Sequence, residues 1–249
     1  MNEMHLFAGA GGGILAGLLL GHTPVCAVEI EPYCQKVLRA RQADRSLPKF
    51  PIYGDIKQFD ATPWKGVVDI VAGGFPCTDI SGANKNAVGI TGKRSGLWTE
   101  FARVIEECKP RFVFIENGPM LRTRGLDVVL ADLATMGFDA QWGCLSAAQV
   151  GANHKRDRIW ILGHSNYKSG YEADSQTYTE RSFREAWSDI GGEYWKRTPA
   201  PDWAIPEATS DRIPDGVAHR VDRLRAIGNG QVPAAAATAF RKLKERFEA

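Results

Sequence analysis

Met4-His5-Leu6-Phe7-Ala8-Gly9-Ala10-Gly11-Gly12-Gly13-Ile14-Leu15-Ala16 is the stretch on which the fold turns. A short apolar run, Met4 to Ala8, breaks into glycines, and Ile14 to Leu20 then reads as a buried helix. Strand, glycine turn and helix open an α/β unit. Outward from it the alternation continues. Val25–Val28 is a second short apolar run, followed by Glu29 and Glu31. Pro32 then starts a helix to about Ala43, at the turn where its missing N–H is not needed. Val67–Ala72, Phe112–Ile115 and Ile159–Leu162 are further strands. Leu97–Cys108 carries apolar residues at helical spacing (Leu97, Phe101, Val104, Ile105, Cys108), and Leu126–Met136 is another helix. Short apolar strands alternating with helices predict a parallel sheet covered on both faces.

The pattern stops at Ser165. From there to about Arg223 the chain is polar, acidic residues outnumber basic ones, and Trp187, Trp195 and Trp203 lie among prolines without clear periodicity. This reads as an irregular insertion or a small second lobe. Pro233 to Phe247 is an alanine-rich helix whose last turns are basic, which suits the negative end of a helix dipole. With 249 residues, 44% of them hydrophobic and 24% charged, the chain can bury a core without disulfides or metals. That composition excludes gross disorder, a collagen-like repeat and a disulfide scaffold. No apolar run approaches the roughly 20 residues of a membrane span. Met1 to Gly9 has no basic region ahead of an apolar stretch, so no secretory signal is expected. The five cysteines (Cys26, Cys34, Cys77, Cys108, Cys144) form no C-x-x-C pair, so reduced thiols in a cytoplasmic protein are expected rather than a zinc knuckle. A net charge of +2 gives no global argument for nucleic acid, although a local basic face would be hidden in that sum.

Three groups of residues carry chemistry. The first is the glycine turn, Phe7 to Gly13, whose backbone can approach a ligand closely and whose helix start offers free amides. Glu29 follows at the end of the next strand, about where a Rossmann-like fold sets an acid against ribose hydroxyls. The spacing is F-x-G-x-G-G rather than G-x-G-x-x-G, and a turn packed for steric reasons is the plainer reading. Asp55, in Gly54-Asp55-Ile56, could accept from an adenine amino group or simply cap a turn. The second is Gly73-Gly74-Phe75-Pro76-Cys77-Thr78, which puts Cys77 on a stiff turn at a strand's carboxyl end, where a thiolate can act as a nucleophile. Cys26, Cys34, Cys108 and Cys144 read instead as small buried hydrophobes. The third is a carboxyl and two guanidinium groups. Glu116 ends the next strand before Asn117-Gly118-Pro119. Arg156 and Arg158 alternate at the start of a later strand, so both are expected on one face, where they could hold a carboxylate, a base carbonyl or a phosphate. Solvated charges flanking Asp157 are the alternative.

Taken in order, Phe7–Gly12, Glu29, Gly54–Ile56, Phe75–Cys77, Glu116–Asn117, Arg156 with Arg158, and Gly228–Asn229 resemble the cytosine-5 DNA methyltransferase family, its short phage and prophage members above all. The likeness runs over nearly the whole chain except about 165–222. Gly118, Thr78 and His154 depart from residues common in the family. The resemblance implies an α/β fold, a Rossmann-like S-adenosylmethionine-dependent methyltransferase sheet with a small irregular target-recognition region. Its divisions would be a catalytic and cofactor-binding part at 1–164, recognition at 165–222, and a returning C-terminal helix at 223–249.

It also implies the reaction: methyl transfer from S-adenosyl-L-methionine to C5 of a cytosine flipped out of double-stranded DNA. Cys77 would be the nucleophile, Glu116 would bond N3, Arg158 would hold O2, and Arg156 would order the same pocket. Phe7, Gly9, Gly11 and Gly12 would line the methionine part of the cofactor, Glu29 its ribose, Ile30 and Ile56 the two adenine faces, and Asp55 the amino group. Pro76 and Asn229 would complete that site. Ser81 to Gly96 would be a loop closing over DNA, with Ser81 and Lys93 or Arg94 at phosphate. The small recognition region implies short or relaxed site specificity. A monomer in the cytoplasm of a bacterial host, without a membrane, is expected. An inactive DNA-binding relative, the same chemistry on tRNA, and a Rossmann oxidoreductase are the competing readings.

Overall fold

A computed structural model of the chain describes residues 1–76, 96–165 and 228–248, together with 222 and 226. The first strand, β1 (Asn2–Leu6), is buried from Glu3 onward. Its chain turns through Gly9 and Gly11, both with positive φ, into helix α1 (Gly12–Leu19). Next come β2 (Thr23–Val28), α2 (Pro32–Ala43) with proline in its first turn, the two-residue β3 (Ile52–Tyr53) and β4 (Ile70–Gly73). Then follow α3 (Leu97–Cys108), β5 (Phe112–Asn117), α4 (Leu126–Thr135), β6 (Phe138–Ser146), β7 (Asp157–Ser165) and α5 (Pro233–Glu248).

The strands form one seven-stranded sheet in the order β3-β2-β1-β4-β5-β7-β6. β1 to β5 are parallel, as expected from the alternation, but β7 runs antiparallel to both β5 and β6. The sheet is therefore mixed. The order reverses between β1 and β4, and ligands of open α/β sheets gather beyond the strand ends at such a point.

Period-two alternation sorts the core. Val71, Val113, Ile115, Ile159 and Ile161 face α3 and α4, in a cluster with Phe101, Val104, Val129 and Leu133. Ile70, Ala72, Phe112, Phe114, Trp160 and Leu162 face the other way, against α5. On α5 the small side chains of Ala235, Ala236, Ala237 and Ala239 join this cluster, and Phe240 supplies the bulk. Its ring is 5.2 Å from that of Phe114, 6.1 Å from Phe112 and 5.2 Å from the imidazole of His22.

Two expectations need correcting. The stretch from Val67 enters the sheet only at Ile70. Val67 is bonded into a turn by its N–H to the Trp64 carbonyl and is 44% exposed. Cys144 is exposed rather than buried: it lies on β6, the edge strand of the sheet, where Trp142 is exposed as well. Cys26, Cys34 and Cys108 are buried as expected. Burial pushes the thiols of Cys34 and Cys108 up to about 11 and about 12, and that of Cys26 further still, so none is a thiolate near neutral pH. Among the described residues no helix is long and apolar enough to cross a membrane.

Candidate active site

Four chain segments meet beyond the carboxyl ends of β1, β4 and β5. The glycine turn is the first. Phe7 holds a φ of +52°, an uncommon value for a side chain of that size, and its ring stacks on Phe101 at 6.3 Å. Glu29, 6% exposed at the end of β2, fixes the turn from the side. One of its oxygens accepts from the Gly9 N–H at 2.6 Å and the other from the Glu31 N–H at 2.8 Å. Burial nonetheless pushes this carboxyl up, with the backbone amides of Glu31, Gly9 and Ile30 pulling it back. A carboxylate has about four lone-pair sites, so acceptor capacity remains for a hydroxyl.

The second segment is Gly73–Pro76, after β4. Gly74 has no room for a side chain: a Cβ there would stand 2.5 Å from Oε2 of Glu116. Phe75 is buried against Trp98, with ring centroids 5.4 Å apart. Its carbonyl accepts from Nδ2 of Asn117 at 3.1 Å. That bond ties the end of β5 to the turn two residues before Cys77. Cys77 itself lies outside the described residues, as do Ser81, Lys93 and Arg94.

The third element is the carboxyl–guanidinium pair. Glu116, 7% exposed, meets Nε of Arg158 through Oε1 at 2.6 Å. Burial pushes Glu116 above the ordinary carboxylate range. Arg158, then Arg156, then a hydrogen bond from the Gln231 side chain pull it back without restoring it. The two arginines do not share a face by strand alternation. β7 begins at Asp157, and Arg156 precedes it with a φ of +39°. From there its Nη2 donates to the carbonyls of Gly228 at 2.7 Å and Gly230 at 2.5 Å. Arg156 thus clamps the fourth segment, residues 228–231, against the mouth of the sheet. Such non-glycine positive φ values cost on the order of 1 kcal/mol or more and cluster at functional sites.

The structure brings Phe7, Gly9, Glu116, Arg156, Arg158 and Asn229 to one end of the sheet. Glu116, Gly74, Gly9, Gly13, Asn229 and Gln231 line a single small pocket there. Glu29 reaches it through Gly9. Ile30 is 59% exposed just beyond, whereas Ile56 is 4% exposed and packs in the core. Oδ1 of Asp55 accepts from the Lys57 N–H and so caps a short 3-10 turn. Pro76 is exposed at the last described position before Cys77. Sequence reasoning missed Gln231 and the clamping role of Arg156. A glutamine after Gly-Asn-Gly carries no spacing signal, and neither carbonyl partner of Arg156 can be read from side-chain identity.

The site therefore joins a glycine turn and a buried acid near the switch point of a doubly wound α/β sheet to a carboxyl–guanidinium pair on β5 and β7 beside them. The chain belongs to the C-5 cytosine-specific DNA methylase family, whose model matches residues 1–219. It is 37% identical over 160 residues to the Type II methyltransferase M.CviJI of Paramecium bursaria Chlorella virus IL3A, covering 64% of this chain and 42% of that protein. It is 30% identical over 220 residues to the Type II methyltransferase M.PspPI of a Psychrobacter species, covering 85% of this chain and 50% of that one. The chain thus matches about half the length of such relatives. Among solved structures, the S. pombe Dnmt2 methyltransferase shares the fold with a TM-score of 0.53 and 20% identity, over 70% of this chain and 52% of that one.

Proposed function

We propose that this protein is a DNA (cytosine-5-)-methyltransferase acting through a covalent Cys77 intermediate on a cytosine flipped out of duplex DNA. The observation that carries the reading is the buried Glu116 carboxyl. It is held by Arg158 and raised by burial, at the mouth of the sheet and beside the backbone that leads into Cys77.

The residues present fit S-adenosyl-L-methionine. A glycine turn with open space at Gly9, a buried acid with unused acceptor positions and an exposed Ile30 suit an adenosine carrying a vicinal diol. Phe7, Gly9, Gly11, Gly12, Pro76 and Asn229 would hold the amino-acid end, and Glu29 the ribose hydroxyls. Asp55 would hold the adenine amino group, and Ile30 one face of the ring, with Ile56 behind it in the core. When bound, the cofactor supplies an electrophilic methyl group to C5.

The chain's own groups do the rest. The Cys77 thiolate adds to C6, and the C5=C6 electron pair moves toward the ring nitrogen and C5 as the S–C6 bond forms. Glu116, its hold on a proton strengthened by burial, donates to N3 and stabilises the charge that develops there. Arg158 is oriented both by Glu116 and by the Asp157 carbonyl, which accepts from Nη1 at 2.8 Å, and it holds the base at O2. Once C5 carries the methyl group, its proton passes to water, the C5=C6 bond re-forms as the S–C6 bond breaks, Cys77 leaves as the thiolate and N3 returns its proton to Glu116. Ser81 with Lys93 or Arg94 would meet DNA phosphate. Residues 165–222 would recognise the target sequence beside a catalytic part at 1–164 and a returning helix at 223–249. The enzyme would act as a monomer in the cytoplasm of a bacterial host.

The test is radiolabelled methyl transfer to duplex DNA and to tRNA, with the wild type and Cys77→Ser. Transfer to duplex DNA that vanishes in Cys77→Ser, and an adduct trapped on 5-fluorocytosine duplex, are the expected results. Transfer confined to tRNA, or undiminished in Cys77→Ser, would overturn the proposal.

A further inference from the structure

Gln231 enters the site from the far end of the chain, between Arg156's clamp and the start of α5. Three glycines leave space for it. A Cβ on Gly12 would collide with the Gln231 carbonyl oxygen. One on Gly13 would stand 2.8 Å from its Oε1, and one on Gly74 3.5 Å from its Nε2. The amide therefore lies across the mouth, with its oxygen toward the glycine turn and its nitrogen toward Gly74. Gly74 is also where Oε2 of Glu116 points, and the Gln231 side chain is hydrogen-bonded to that carboxyl. With Oε1 taken by Arg158, both oxygens of Glu116 are held.

We propose that Gln231 is a positioning residue for Glu116: its amide orients the carboxyl and keeps it able to give up and regain a proton. This rests on Glu116 serving as the proton donor in methyl transfer. Burial alone would lock the proton on, and a donor is most useful when its affinity lies near the working pH. An amide N–H favours the ionised form and so opposes burial. Among the described residues, the charged or titratable groups facing Glu116 are Arg158 on β7 and Arg156 just before it. β1 contributes His5 to the same pocket, with Glu3 beyond it at 3.7 Å, while β4 contributes only Gly73 and Gly74.

The experiment titrates Glu116 in the ligand-free, full-length protein by carboxyl 13C NMR, with Glu116→Gln giving the assignment. Gln231→Leu is expected to raise the midpoint by about one pH unit. Gln231→Glu keeps the shape and guards against a folding defect. It should raise the midpoint at least as far, because two adjacent carboxyls share one proton. In methyl transfer, the alkaline limb of the Gln231→Leu pH profile should move up with it, while kcat falls and the KM for DNA stays unchanged. A purely packing role would leave the midpoint where it is, and an unmoved midpoint in both variants overturns the proposal whatever the activity. A midpoint that moves in a protein without methyl transfer keeps the Gln231–Glu116 coupling and rejects the proposed activity instead.

Discussion

At the scale of single residues, the site is a set of bonds that position charge. Arg156 is the clearest case. Its Nη2 donates to two carbonyls, of Gly228 and Gly230, from a planar, pre-organised guanidinium that lysine's flexible stem does not replace. Hydrogen bonds from a charged donor contribute about 1.5–3 kcal/mol. Arg156→Lys should therefore loosen residues 228–231 and slow methyl transfer by about tenfold or more at saturating substrate; an unaltered rate would show that the clamp is idle. Glu116→Gln should cost about 100-fold or more in rate, because the amide has no transferable proton. Glu116 was legible in the sequence, since an apolar run ending in Glu-Asn places a carboxyl at a strand's end. Arg156 was legible as a residue but not in its role. Strand alternation does not reach Arg156, because the backbone there still has a positive φ. Gln231 left no trace, because its partner is far away along the chain and its own type has many uses.

At the scale of elements, burial decided what could be read. β4 and most of β5 are short apolar runs buried on both faces, and α3 repeats its apolar residues every three or four positions, so both kinds stood out. β6 did not. As an edge strand it keeps polar and exposed residues such as Asp139, Trp142 and Cys144, and it is buried only at its two ends. The antiparallel course of β7 was illegible for another reason: side-chain alternation is the same in either direction. α5 was legible as a helix, but its depth was not. Alanines suggest a surface until one sees that they let Phe240 reach Phe112, Phe114 and His22. Phe240→Ala should destabilise the fold by about 3–5 kcal/mol, measured by urea unfolding. A loss below about 1 kcal/mol would mean that α5 repacks around the gap.

At the scale of the whole molecule, the sheet carries a buried cluster of one carboxyl and two imidazoles beneath α1. Oε2 of Glu3 lies 2.9 Å from Nδ1 of His22, and Glu3 and both histidines, His5 and His22, are under 10% exposed. Burial would raise the Glu3 carboxyl, but His5 and His22 outweigh it and hold it below the ordinary range. A carboxyl depressed in the folded state binds fewer protons there than in the unfolded chain. Its contribution is therefore complete above the unfolded value of about 4.3 and is lost as the pH falls below it. Acid unfolding followed by circular dichroism should accordingly steepen below about pH 4.3, and Glu3→Ala should flatten that dependence while costing about 3 kcal/mol or more at neutral pH. An acid limb that Glu3→Ala leaves unchanged would assign it to other groups.

Gly12 and Gln231 stand at opposite extremes of the sequence, yet each occupies the space the other leaves. During translation the first emerges from the ribosome long before the second. Until residues 228–231 have been made and folded back, the mouth of the sheet lacks a wall. A nascent chain short of them would thus hold most of the chemical groups of the site but not their arrangement.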